Sequence, residues 1–228
     1  MKLRVLVFSS SYLICLSFFL QSCSKKSDSS SSPAPSATLS TDLCVGDSGN
    51  DYFPLTKGNQ TVVTAHPGGD RETYDVIKDS TMAWYGLTGA FKTFTQKNTS
   101  SISVNSPTYK YYRIADNGDV YSSTHSDGSY AVLVVPGSPT VGNYWLGNVD
   151  ASNFRDSFVV SSTTSTLSLG SCNYGNVLVI NRYSVQQGSP VYLRNKFFYK
   201  KGLGMLQYET YSNNTYIGNY SITGIKVY

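Results

Sequence analysis

From residue 52 onward, short apolar and aromatic runs alternate with clusters of Gly, Asn, Asp, Pro and Ser. Helical spacing of the apolar positions is almost absent. Runs rich in Val, Ile, Thr, Tyr and Phe between such punctuation read as strands. The pattern predicts strands near 60–66, 71–78, 82–87, 91–96, 108–115, 119–124, 129–135, 156–162, 176–185, 190–200, 204–211 and 215–227. The fold class is therefore all-β. Short connections favour pairing of sequence neighbours, an antiparallel meander. About a dozen strands cannot remain one flat sheet. The expected architecture is a strongly curved sheet or incomplete barrel, with a two-layer β-sandwich as the alternative.

Three stretches sharpen this reading. "TYKYYRIADNGDVYSS" places Asn117-Gly118 between two aromatic strands, which suits a hairpin turn with φ > 0 at both central residues. "AVLVV" (131–135) is apolar at every position, as in a covered, central strand. "PVYLRNKFFYK" alternates, with Val191, Leu193, Phe197 and Tyr199 on one side and Arg194, Lys196 and Lys200 on the other. That predicts one wet face.

The first forty residues follow another logic. Lys2 and Arg4 precede an apolar stretch, Val5 to Leu20, interrupted by serines. A basic start and a short apolar core read as a signal peptide. The stretch ends Leu20-Gln21-Ser22-Cys23, which resembles the lipobox of bacterial lipoproteins, with Gln21 a less usual occupant. The resemblance implies that Cys23 carries lipid on its sulfur and becomes the acylated N-terminus. Residues 24–40 are Ser- and Pro-rich with almost no apolar content, a composition that cannot bury surface and acts as a leash. The expected organisation is a signal peptide at 1–22, a tether at 23–43 and one β-rich domain at 44–228.

Charge and cysteine content narrow the partners. The formal charge of +4 includes Lys2 and Arg4; without them it is 4 − 2 = +2. That is no basic footprint for nucleic acid. Of four cysteines, Cys15 leaves with the signal peptide and Cys23 is the lipid site. Cys44 and Cys172 remain, and an oxidising envelope compartment favours a disulfide between them.

Four stretches taken together carry a family resemblance: "DYFPLTKGN" (51–59), "YYRIADNGDVY" (111–121), "VVPGSPTVGNYW" (134–145) and "FYKKGLGMLQYET" (198–210). The set resembles a group of uncharacterised secreted lipoproteins of Bacteroidetes-type bacteria. Those domains open on Tyr-Phe-Pro-Leu and a Gly-Asn, and close with a Lys-Gly-x-Gly turn. One departure is Gln60-Thr61-Val62, where such proteins often carry Trp-x-Tyr. The resemblance implies a β-rich extracytoplasmic domain and no particular activity.

Candidate chemistry is sparse. "GDSG" (46–49) resembles the nucleophile motif of trypsin-like proteases. There the base and acid precede the serine; here His66 and His125 both follow it, so a polar turn explains it better. Two distant histidines make no metal set. Asp47, Asn50 and Asp51, or Asp116, Asn117 and Asp119, offer oxygens for Ca²⁺, but turn chemistry accounts for them. Asp70, Glu72, Asp75, Asp79 and Glu209 are the carboxylates a hydrolase would need to converge. No catalytic residue, metal site or cofactor is expected. Trp84, Trp145, Tyr192, Arg194, Lys196 and Lys200 form a candidate ligand surface, with core packing as the plainer role for the tryptophans. Asp79-Ser80-Thr81 matches a short O-glycosylation pattern at Ser80.

The sequence thus supports a lipid-anchored envelope protein, at the outer membrane, that binds a glycan, lipid or protein partner without catalysis. A spacer role comes second and a carboxylate hydrolase third. The membrane face stays open.

Overall fold

The computed structural model describes residues 39–44, 51–103, 106–149, 154–186 and 192–226. Cys23 and the "GDSG" motif lie outside the described residues, as do Asp47 and Asn50. Twelve strands form one antiparallel sheet: β1 (Gln60–His66), β2 (Arg71–Ala83), β3 (Ala90–Ser100), β4 (Thr108–Ile114), β5 (Val120–Ser123), β6 (Val132–Val135), β7 (Tyr144–Val149), β8 (Phe154–Leu169), β9 (Cys172–Gln186), β10 (Tyr192–Lys200), β11 (Gly204–Ser212) and β12 (Thr215–Lys226). Their order is β6-β5-β4-β3-β2-β1-β12-β11-β10-β9-β8-β7. Two six-stranded meanders are therefore joined by β1 pairing with β12, from Gln60↔Lys226 to His66↔Asn219.

The sheet curls until its free edges, β6 and β7, approach each other. Across this seam the Trp145 indole N–H donates to the Leu133 carbonyl at 2.7 Å. The ring stacks on Phe158 with centroids 5.5 Å apart. A side chain thus closes the seam in place of a backbone ladder, and the result is a nearly closed barrel. The sandwich alternative does not occur.

Successive strand residues face opposite ways, so the wall has two packed faces. Leu178, Ile180 and Tyr199 join Val76, Phe94, Tyr112 and Val135 in an inner cluster. Val177, Val179 and Leu206 join Ile222 in a second cluster on the outer face, where Phe198 also packs. The projecting tip of the β8–β9 hairpin covers that outer face with Leu167, Leu169, Cys172 and Tyr174.

One end of the barrel is plugged by residues 52–55. Leu55 is buried, and Phe53 stacks near Tyr112 and Tyr199 at 4.9 and 6.2 Å. The Gly202 N–H donates to the Asp51 carbonyl, and Asn59 Nδ2 donates to the Pro54 carbonyl. Gly204 has φ of 84°, and a Cβ there would stand 3.1 Å from Pro54. The "DYFPL" and "KGLG" stretches, far apart in sequence, are therefore plug and socket.

Several sequence expectations are corrected. Residues 39–43, assigned to the tether, are folded against the body. Ser40 exchanges two backbone hydrogen bonds with Ile225, at 2.8 and 2.9 Å, beyond the point where the β11 pairing stops at Ser221. Leu43 packs on the outer cluster. No separate strand occupies 82–87: β2 runs on to Ala83, and positive φ at Gly86 and Gly89 turns the chain. Strand β7 was not expected, because Gly147 within it reads as punctuation. "AVLVV" supplies β6, an edge strand and not a central one; its apolar residues meet the lumen and the seam. At Asn117-Gly118 only Gly118 has positive φ, 84°. Gly118 N–H donates to the Ala115 carbonyl, as in a three-residue loop with a glycine bulge.

Cys44 and Cys172 are bonded, with Cα atoms 5.2 Å apart and 128 residues between them in sequence. Closing so long a loop is worth about 2–5 kcal/mol. Replacing both cysteines by serine should lower Tm on the order of 10 °C at this chain length, as read by circular dichroism. An unchanged Tm would show that the strap holds without the bond.

Candidate functional site

Eight strands enclose about what side chains can fill, and larger barrels leave space. Here the lumen retains a cavity of about 700 Å³, within the range of small-molecule sites, about 300–1,000 Å³. Its chemistry is graded along the barrel axis. Next to the plug it is lined by Leu55, Val76, Tyr112, Phe158, Phe197, Tyr199 and Met205. Towards the β1–β2 and β3–β4 turns it is lined by Glu72, Asn98, Lys110, Asp156, Arg182 and Asn195.

The polar half arises because charged residues share the inward parity of apolar ones. Glu72 and Tyr74 precede Val76 on β2; Lys110 precedes Tyr112 on β4; Arg182 follows Leu178 and Ile180 on β9. Arg182 Nη2 pairs with Asp156 Oδ2 at 2.6 Å, and its Nη1 donates to Asn195 Oδ1 at 3.4 Å. The Tyr74 hydroxyl donates to the Glu72 carboxylate. Tyr208 stacks on Tyr220 at 4.7 Å. Arg182 Nε and Asn98 Oδ1 are buried without a hydrogen-bond partner.

Lys110 is an instructive case. Much of its surface is accessible, yet desolvation pulls its ammonium below the ordinary lysine range, Glu72 opposing and Arg182 adding to the effect. Lys110 lines the cavity, where the surrounding wall removes part of its hydration. Burial likewise raises the phenols of Tyr74, Tyr112, Tyr199 and Tyr208, with Glu72 pushing Tyr74 and Tyr208 further up.

The candidate surface does not assemble. Trp84 is only 3 % exposed; its ring lies against Gly128, which has no Cβ to obstruct it. Lys200 is buried, its ammonium donating to the Gly175 carbonyl at 2.8 Å. Trp145 is at the seam. Tyr192 is half-buried, Arg194 is exposed, and the Lys196 ammonium stands over the Tyr211 ring at 5.4 Å. The stripe expected on one wet face is thus split, because on that side Phe198 packs on the second cluster and Lys200 is buried. Ser80 is half-buried in mid-strand, opposite Thr93.

Of the five carboxylates, Glu72 alone lines the cavity. Asp75 accepts from Gln60 Nε2, and Glu209 accepts from the Tyr211 hydroxyl. Asp79 is exposed. Asp119 accepts from Asn117 Nδ2 at 2.9 Å and from the Gly137 N–H at 2.8 Å, so that cluster shapes its turn. Sequence reasoning missed Lys110, Asp156 and Arg182. The available signal was a charge on the same parity as a buried run.

No family model and no curated protein matches the chain. Two solved structures resemble it. One is a protein assigned as exported, with a YmcC-like fold, from Bacteroides fragilis: 13 % identity, TM-score 0.46, covering 78 % of this chain and 99 % of that one. The other is assigned as a lipoprotein, from Parabacteroides distasonis: 12 % identity, TM-score 0.46, with the same coverage.

The raised phenols set the alkaline limit. A phenol whose folded pKa exceeds its unfolded value of 10.0 holds its proton more tightly in the fold. Its contribution to stability is complete below pH 10 and is lost as pH rises above it. Absorbance at 295 nm should show exposed tyrosines ionising near pH 10. The enclosed ones should follow only with cooperative unfolding at higher pH. A single non-cooperative titration of all of them would contradict the enclosed lumen.

Proposed function

We propose that this chain is a lipid-anchored envelope protein whose barrel binds a small apolar or amphipathic molecule without catalysis. The observation that carries the reading is the plugged lumen of about 700 Å³ with an aromatic and aliphatic floor. Pockets of this size and lining are the usual seats of small ligands. A non-catalytic role fits the two carboxylates that line the cavity, since Glu72 accepts from the Tyr74 hydroxyl and Asp156 is paired with Arg182. The lipid anchor rests on Cys23 and its preceding Leu20 and Ser22, and the tether supplies reach from a membrane.

Native mass spectrometry of the purified chain, compared with its denatured mass, tests the binding role. A one-to-one adduct that leaves on denaturation is expected, together with saturable uptake of the neutral probe N-phenyl-1-naphthylamine. A bare mass and no probe uptake would overturn the reading in favour of a spacer.

The anchor is tested separately by labelling cells with radioactive palmitate. The wild-type chain should incorporate label and Cys23→Ser should not. Equal labelling of both would remove Cys23 as the lipid site.

A further inference from the structure

The polar half of the lumen is unevenly satisfied, and the imbalance identifies a ligand chemistry. Its acids are served: Asp156 by Arg182, Glu72 by the Tyr74 hydroxyl. Its cations are served only in part, Arg182 through its Nη atoms alone. Lys110 lines the cavity and interacts electrostatically with Glu72, and Arg182 Nε is buried with its N–H unaccepted. Among the described residues, the buried atoms of this half without a partner are Arg182 Nε and Asn98 Oδ1. Buried polar groups are ordinarily partnered, and exceptions ask for an explanation. The apolar floor lies directly below these donors on the same strands: Tyr112 two residues beyond Lys110, Ile180 two residues before Arg182.

We propose that the ligand is a single-chain amphiphile with an anionic head, its tail on the aromatic floor and its head between Lys110 and the Arg182 Nε–H. This rests on the binding role proposed above and specifies it. Size supports one chain. A cavity of about 700 Å³ lies within the range of small-ligand sites and has room for a long-chain fatty acid. A free glycan would leave its hydroxyls unmatched over the floor. Glu72 sets the opposing sign. It stands in the same half as Lys110 and disfavours a second negative charge, so its removal should tighten binding where removal of Lys110 loosens it.

The test uses cis-parinaric acid and its methyl ester, two fluorescent probes of the same chain with and without the charge. The wild-type chain should bind the acid at least about tenfold more tightly than the ester, the effect of one charged hydrogen bond. Lys110→Met should abolish that preference with little change for the ester. Glu72→Gln should increase it. Circular dichroism verifies that each variant is folded, and the acid–ester comparison on the wild type needs no variant. Equal affinity for acid and ester would overturn the anionic head, as would a preference indifferent to Lys110→Met. Displacement by phosphatidylglycerol as effective as by palmitate would overturn the single chain. If N-phenyl-1-naphthylamine binds and neither parinaric probe does, the head assignment fails and the binding role stands. If no probe binds, the binding role itself has failed.

Discussion

The ladder between β1 and β12 is the constraint on which the rest of the molecule depends. Each half of the chain is a six-stranded meander that could form from local hairpins alone. Only the β1–β12 pairing, between residues about 160 apart, makes them one sheet. It also decides where the free edges fall. Because the two ends of the chain are zipped together, the unpaired edges belong to its middle, at β6 and β7. Exposed strand edges invite pairing with other chains. Here they face each other, and Trp145 spans the gap to a backbone carbonyl. The long-range ladder therefore converts two open sheets into one enclosure.

Enclosure explains the interior. A wall of twelve strands has a circumference that ordinary side chains do not fill, so the core divides. Near the plug, large aromatics pack as in any hydrophobic core. Farther along, the same inward parity carries Glu72, Lys110, Asp156 and Arg182. A solid core would not tolerate these charges, since buried ions need partners. They are acceptable because Arg182 pairs with Asp156, Glu72 accepts from Tyr74, and all of them border a cavity in place of packed side chains. Outside the wall, the β8–β9 hairpin tip and the strap at 39–44 cover an apolar patch that a simple barrel would leave exposed.

The all-β class, the meander and the curvature were legible in the sequence, since period-two patterns and short turns act locally. The hairpin at Asn117-Gly118 was legible for the same reason, although its turn differs in type: a third loop residue lets Gly118 alone take the left-handed conformation. What depended on distant contacts was not legible. "AVLVV" looks central because both of its faces meet apolar surroundings, and sequence cannot show that one of them is a seam. Lys200 looks wet because its strand alternates, and only the fold brings the Gly175 carbonyl to it. Lys110 and Arg182 look like ordinary solvated charges until strand parity is read together with closure. Plug and socket, residues 52–55 and 202–204, were both visible as stretches, but their partnership was not.

The strap has a mechanical consequence. Tension applied to the chain from its N-terminal side reaches the folded body first at Ser40, held by two backbone hydrogen bonds to Ile225. Should these yield, the load arrives at Cys44 and passes through a covalent bond into the β8–β9 hairpin. The plug at residues 52–55 then lies outside the load path. Tension from that side is borne by the outer wall while the stopper of the barrel stays seated.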